Sequence, residues 1–251
     1  MVNMILSGCN GAMGQVITRL ADADENVQIV CGFDVNTDVK NTYPVYDDLS
    51  DFNGSADVII DFSHPSAFDG ICAFALEKKL PLIMCTTGLA TEKIGQLNQY
   101  AAQIPVFFSA NMSIGINLLI DLCQKAARLL SGFDIEIIEK HHNQKIDAPS
   151  GTALAIADGI SEVLPYEAEY TYDRHAVRRK RRDTEIGIHT VRGGTIVGEH
   201  NVIFAGLDEV IEIGHSASSK EVFAAGALKA AVFMKGKTPG MYTMKQLVEQ
   251  L

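Results

Sequence analysis

Met4-Ile5-Leu6-Ser7-Gly8-Cys9-Asn10-Gly11-Ala12-Met13-Gly14 stands near the start of the chain, and its reading decides the fold class. Residues 4–7 form a short apolar strand, three glycines follow directly, and residues 12–23 carry helical spacing. Glycine lets a backbone turn tightly and approach a pyrophosphate closely. The N–H groups and dipole of the following helix then favour the phosphate charge. Gly11 and Gly14 match the second half of the G-x-G-x-x-G pattern, whereas Cys9 fills the first glycine's slot and Gly8 lies one residue earlier. The loop reads as a dinucleotide cradle, with a merely tight strand-to-helix turn as the alternative.

The next apolar, β-branched run is residues 27–33, and Asp34 ends it. An acid at this point hydrogen-bonds the adenosine ribose hydroxyls of a bound dinucleotide; the alternative is a solvated strand-end carboxylate. Val35 follows, so no adjacent Arg is offered to a 2′-phosphate.

Further along, apolar strands at 58–62, 82–85 and 106–109 alternate with helices at 66–79 and 91–103, with Ser66 as the expected N-cap of the first. Strands apolar throughout and interleaved with helices predict a parallel sheet covered on both faces. After about residue 112 the pattern changes to a long apolar helix at 115–130, a strand at 135–139 and a helix at 150–164. Short strands at 186–191, 196–197, 201–204 and 209–215 then resemble an antiparallel meander. From Ser219 the pattern returns to helix. The expected fold is α/β: a Rossmann-like parallel-sheet nucleotide domain, residues 1–112 plus about 220–251, with an inserted α+β substrate and oligomerisation domain at 113–219.

Composition narrows the function classes. A formal charge of −10 disfavours general nucleic-acid binding. No apolar run reaches the roughly 18 residues of a membrane helix, and the N-terminus has no basic n-region, so no membrane partner and no secretory signal are expected. Five isolated cysteines lack the spacing of a metal site and suit reduced, buried thiols in the cytoplasm.

The densest chemistry lies in Glu139-Lys140-His141-His142-Asn143-Gln144-Lys145-Ile146-Asp147-Ala148-Pro149-Ser150-Gly151-Thr152-Ala153. Two imidazoles leave a strand end, with Lys145 four residues after His141. Adjacent strand residues alternate faces, so the two rings point apart. An amine near imidazoles in a cleft can donate a proton; the alternative is three surface polar residues. Ser150 is a good N-cap, and first-turn N–H groups at Gly151 and Thr152 suit a carboxylate or phosphate, or simply begin an ordinary capped helix. The basic run Arg178-Arg179-Lys180-Arg181-Arg182 reads as a solvated mobile loop, or as a lid that attracts an anionic substrate or contacts an acidic neighbouring subunit. His189, His200 and His215 fall in the expected meander, in structural or supporting roles.

These motifs resemble the 4-hydroxy-tetrahydrodipicolinate (dihydrodipicolinate) reductase family of bacterial lysine biosynthesis. Gly8–Gly14 is similar to its GxxGxMG loop, and residues 141–153 are similar to its HHxxKxDAPSGTA signature. Thr86-Thr87-Gly88, Ser109-Ala110-Asn111-Met112, and Arg192-Gly193-Gly194 through Gly198-Glu199-His200 resemble further segments.

The resemblance implies NADH- or NADPH-dependent reduction of (2S,4S)-4-hydroxy-2,3,4,5-tetrahydrodipicolinate to tetrahydrodipicolinate with loss of water, by a cytoplasmic homotetramer acting on a small dicarboxylate. It implies His141 as proton donor and acceptor and Lys145 as proton donor. His142, Ser150, Gly151 and Thr152 would bind substrate. Gly8, Cys9, Asn10, Gly11, Ala12, Met13, Asp34, Cys85, Thr86, Thr87, Ser109, Ala110, Asn111 and Met112 would line the cofactor site. Cys85 stands where Gly is common and Met112 where Phe is common. A different two-domain nicotinamide dehydrogenase would share the loop but need not carry Lys145 and the Ser150–Thr152 cradle. A dinucleotide-sensing regulator would tolerate losing His141 and Lys145, and both are present.

Overall fold

The computed structural model describes residues 1–109 and 111–251. Its first half comprises β1 (Val2–Ser7), α1 (Ala12–Ala21), β2 (Val27–Phe33), β3 (Val45–Tyr46), β4 (Val58–Asp61), α2 (Phe68–Lys78), β5 (Leu82–Met84), α3 (Thr91–Ala101) and β6 (Pro105–Phe108). Then come α4 (Ile114–Leu129), β7 (Asp134–His141), α5 (Gly151–Ser161), β8 (Glu169–Thr171), β9 (Glu185–Arg192), β10 (Gly198–Ala205) and β11 (Val210–Ala217). The chain ends with α6 (Glu221–Met234), β12 (Gly240–Tyr242) and α7 (Met244–Val248). Two compact units result, Met1–Ile114 with Glu221–Leu251, and Gly115–Lys220.

The first unit holds an all-parallel seven-stranded sheet in the order β12-β6-β5-β4-β1-β2-β3. Its strands are apolar on both sides because both faces are covered. Ile17 and Ala21 of α1, Ala224–Met234 of α6 and Leu247 of α7 pack on one face. Phe68, Ile71 and Phe74 of α2 and Leu97 of α3 pack on the other. The expected Rossmann-like architecture is therefore present. Strand order reverses at β1, between β2 and β4, and ligands of such sheets bind beyond the strand ends at this switch point.

In the second unit a mixed sheet runs β11-β10-β7-β9-β8. In β7, Ile135, Ile137, Glu139 and His141 are buried, alternating with the half-buried Asp134, Glu136, Ile138 and Lys140. Ile135 and Ile137 pack with Ile116, Leu119 and Cys123 of α4 and Ile156 and Ile160 of α5. Residues two apart on a strand share a face, so Glu139 and His141 lie on this packed side.

Several expectations are corrected. The strands after residue 185 are not a meander: β7 lies between β9 and β10, pairing parallel with β9 and antiparallel with β10. Residues 196–197 precede β10 and form no strand. The helical C-terminal return also contains β12, paired with β6. Ser66 does not cap α2. A short 3-10 turn, Pro65–Ala67, comes first, and the His64 ring accepts the Ser66 N–H at 3.2 Å. Pro65 lacks an N–H and suits the first position of that turn.

The basic run lies in an exposed loop without regular structure, with Arg181 half-buried, and three of its arginines are ion-paired within this unit. Arg181 pairs with Asp134 at 2.8 Å and Glu136 at 3.1 Å, Arg182 with Glu169 at 2.9 Å, and Arg179 with Glu185. All five cysteines are buried and unpaired, as expected.

Candidate functional sites

A cavity of about 500 Å³ opens at the switch point, lined by Ser7, Gly8, Asn10 and Gly11 after β1, Phe33 to Val35 after β2, and Phe62 to His64 after β4. The glycine pattern, shifted by one, has a steric reason. Gly8 has φ +76°, and a Cβ there would stand 2.6 Å from the Phe62 carbonyl oxygen. A Cβ at Gly14 would stand 2.5 Å from the Cys9 carbonyl oxygen and nearer still to that of Gly8. The two glycines thus let β1 approach β4 and α1 press onto its own loop. Gly11 is the N-cap of α1, and no side chain caps that helix. The cavity, the glycine cradle and the uncapped helix start suit the phosphates and adenosine of NAD(P)H.

Asp34 lies one residue beyond β2. Its Oδ2 accepts the Asn10 N–H at 2.9 Å and its Oδ1 the Asn36 N–H at 3.0 Å. Cys9 is buried against Gly32 and Tyr43, and burial first, with Asp34 second, pushes its thiol up to about 11. Its contact with a cofactor would therefore run through the backbone. Ala12 is exposed, and Met13 packs partly on the core. Cys85 and Thr86 are buried; the Thr86 hydroxyl donates to Asp61 at 2.6 Å, and Thr87 is exposed. The Ser109 hydroxyl donates to the Asn111 carbonyl at 2.8 Å, and Met112 is buried in the core. Ala110 lies outside the described residues. Phe62, Ser63, His64 and Asp47 also line the cavity, and the sequence reading missed them. The signal available was the apolar strand at 58–62, whose end a doubly wound sheet places beside the glycine loop.

In the second unit the end of β7 and the start of α5 meet at Glu139. Its side chain is fully buried. Oε2 accepts from His141 Nδ1 at 2.6 Å and Arg192 Nη1 at 2.7 Å. Oε1 accepts from Arg192 Nη2 at 2.8 Å, the Ser150 N–H at 3.0 Å and the Thr190 hydroxyl at 3.1 Å. Burial by itself raises a carboxyl pKa; here Arg192, His141 and the Ser150 amide outweigh it and hold Glu139 at about 2.

Ser150 caps α5, its hydroxyl accepting from the Ala153 N–H at 3.1 Å and meeting His200 Nε2 at 3.0 Å. Lys145 Nζ pairs with Asp147 Oδ1 at 2.8 Å. His142 lies just past β7 and is half-buried. Gly151 is the first residue of α5 and is exposed, and Thr152 beside it is half-buried. The residues expected to handle protons and anions thus lie on one strand end, one loop and one helix start. His200, expected in a structural or supporting role, touches Ser150; Glu139 and Arg192 were not foreseen as parts of this network, although a Glu two residues before a His on a strand must share its face.

The network predicts a pH response. Burial first, and His141 second, push the His200 imidazole down to about 4 from an ordinary 6.5. As pH falls, the unfolded chain therefore takes up this proton before the folded one. Stability from neutral His200 is complete above pH 6.5 and is lost between 6.5 and 4, by at most about 3 kcal/mol. Glu139 has the depressed folded value, so its contribution is present above 4.5 and drains as pH falls toward 2. Calorimetry should show Tm falling first between pH 6.5 and 4, and His200→Gln should remove that upper decline. A wild-type Tm flat from pH 7 to 4.5 would refute this account.

Comparison with known proteins places this chain in a family. Residues 2–112 match the profile described as "Dihydrodipicolinate reductase, N-terminus", and residues 115–248 match "Dihydrodipicolinate reductase, C-terminus". The chain is 53% identical over 250 residues to a 4-hydroxy-tetrahydrodipicolinate reductase of Caldanaerobacter subterraneus subsp. tengcongensis, covering 100% of this chain and 99% of that one. It is 49% identical to the protein of the same name from Clostridium tetani, covering 97% and 96%. Among solved structures, a dipicolinate-bound dihydrodipicolinate reductase from Paenisporosarcina sp. TG-14 superposes with a TM-score of 0.81 at 25% identity, covering 97% of each chain. With both halves of the family matched and the glycine cradle and His141–Thr152 segment in place, the chain belongs to the dihydrodipicolinate reductase family.

Proposed function

We propose that His141 and Lys145 supply the proton in the reaction of this family, and that His142, Ser150, Gly151 and Thr152 hold a carboxylate of the substrate. The reaction is NAD(P)H-dependent reduction of (2S,4S)-4-hydroxy-2,3,4,5-tetrahydrodipicolinate to tetrahydrodipicolinate with loss of water, on the route to diaminopimelate and lysine. Bound NAD(P)H supplies the hydride. One observation carries the assignment of roles. The buried Glu139 ties the His141 ring to the Ser150 amide, so the proton-handling end of β7 and the anion-holding start of α5 form one unit. Carboxylate bound at that helix start gains from its dipole and N–H groups, and Lys145 adds a cation that Asp147 holds nearby.

Gly8 to Met13, Asp34, Cys85 to Thr87, Ser109, Asn111 and Met112 are the proposed cofactor contacts, several through backbone. Assembly as a homotetramer is supported by the sheet of the second unit. Its helix-free face carries the half-buried Ile138 and Ile203, and its edge strand β11 exposes Val210 and Ile211. Light scattering should return four times the chain mass. No helix among the described residues is long and apolar enough to cross a membrane, and the buried, unpaired cysteines suit a cytoplasmic location.

The cofactor arm of the test follows from charge. The cavity lining includes Asp34 and Asp47 and neither Lys nor Arg among the described residues, and Val35 is fully exposed and uncharged. Each unit of negative charge on a 2′-phosphate about 4 Å from Asp34 would be repelled by about 4 kcal/mol or less at an effective dielectric near 20. NADH is therefore expected to serve at least as well as NADPH in a side-by-side titration with the hydroxy-diacid. Asp34→Ala with Val35→Arg should move preference toward NADPH. Strong NADPH selectivity in the wild type would defeat the charge argument, and no nucleotide oxidation with the hydroxy-diacid would defeat the assignment.

A further inference from the structure

His141 can move a proton efficiently only if its ring presents one particular nitrogen, and the structure contains a group placed to enforce that. Glu139 is ionised and fully buried, so both its oxygens can only accept hydrogen bonds. His141 Nδ1, at 2.6 Å from Oε2, must therefore carry a hydrogen. That leaves Nε2 as the atom that gains and loses a proton. Nε2 points past Gly198, where a Cβ would stand 3.1 Å from it.

The remaining surroundings do not compete for Nδ1. On β9, Thr190 and Arg192 both donate to Glu139. From β10, the His200 ring stands edge-on to His141 with centroids 5.3 Å apart, and its Nε2 is engaged with Ser150. The two-pronged Arg192 contact supplies the counter-charge that lets Glu139 remain ionised in a buried place.

We propose that Glu139, anchored by Arg192, is the positioning residue of His141: it fixes the Nδ1–H tautomer and leaves Nε2 free for proton transfer. This rests on the reading of His141 as a proton-transfer group. Glu139 itself reaches no reacting atom and acts through the ring. A carboxylate behind a catalytic imidazole is known to matter in this way, because a neutral amide in its place can stabilise the wrong tautomer.

Glu139→Gln keeps size and shape. Its amide oxygen would turn toward Arg192 and its NH2 toward His141, driving the ring to the Nε2–H form. Turnover should then fall by roughly 10²–10⁴-fold, while the KM of the hydroxy-diacid and the Kd of NADH change little. Glu139→Asp should restore part of kcat.

Nitrogen NMR on histidine-labelled protein, with the signal assigned through His141→Ala, reads the tautomer directly. The wild type should show Nδ1–H with a strongly downfield proton that Glu139→Gln loses. Loss of thermal stability alone, as a purely structural carboxylate would give, does not change the tautomer. Wild-type kcat in Glu139→Gln, or an Nε2–H tautomer in the wild-type protein, overturns the proposal; the second reading needs no variant to fold. Wild-type turnover in His141→Ala would instead overturn the reading of His141 and this proposal with it, so the two failures are distinguishable.

Discussion

Lys145→Ala and His141→Ala each leave a folded protein that binds nucleotide but turns over roughly 10²–10⁴-fold more slowly, the usual worth of a positioned proton-transfer group. Neither side chain contributes to an apolar cluster. Lys145 lies in the loop after β7, ion-paired to the half-exposed Asp147, and His141 is held by Glu139 at the strand end. Their removal therefore costs chemistry more than packing. Lys145→Arg should rescue poorly, because a guanidinium keeps its proton too firmly to donate it. Steady-state kcat with saturating NADH and hydroxy-diacid, alongside a nucleotide titration, checks the claim. Near wild-type turnover in either variant would remove that residue from the proposed chemistry.

Gly14→Ala should weaken NADH binding by roughly 100-fold, about 2.7 kcal/mol, while leaving intact any binding of pyridine-2,6-dicarboxylate at the carboxylate site proposed in the second unit. The physical reason is backbone overlap. The added Cβ would meet the carbonyl oxygens of Gly8 and Cys9, which belong to the loop itself and cannot rotate away as a flexible side chain could. Either α1 lifts from the loop or the loop opens, and both displace the N–H groups proposed to hold phosphate. Calorimetric titration with NADH and separately with pyridine-2,6-dicarboxylate distinguishes a local loss from unfolding. An unchanged Kd for NADH would show that the loop does not hold the cofactor.

Local chemistry made much of this molecule readable in advance. Val27–Phe33 forms a strand with the predicted bounds, because its β-branched run buries Val27, Ile29, Cys31 and Phe33 on one face at the two-residue period of a strand. Ser150 caps α5 as expected, because an N-cap bond reaches only three residues and needs no partner elsewhere in the chain. By contrast, Val45–Tyr46 and Gly240–Tyr242 are strands too short to show a period, and they exist because a sheet edge was there to pair with. Ser66 does not cap α2 because Pro65 starts a 3-10 turn ahead of that helix; His64 caps the turn, and Ala67 stands at the N-cap of α2 with no side-chain cap.

The sequence by itself determined the parallel nucleotide-binding architecture, the glycine cradle and the grouping of His141, Lys145 and Ser150 in one segment. Each follows from periods, turns and caps that act over a few residues. Only the tertiary structure decided that β9 runs parallel beside β7 rather than in a meander, since strand pairing is chosen by which edges remain open. The same pairing brings Arg192, distant in sequence, against Glu139. It also neutralises Arg179, Arg181 and Arg182 on carboxylates of β7, β8 and β9, where the sequence alone showed only an exposed run of charge. A buried charge is tolerable only beside its counter-charge, and that partner is set by the register of strands far apart in the chain.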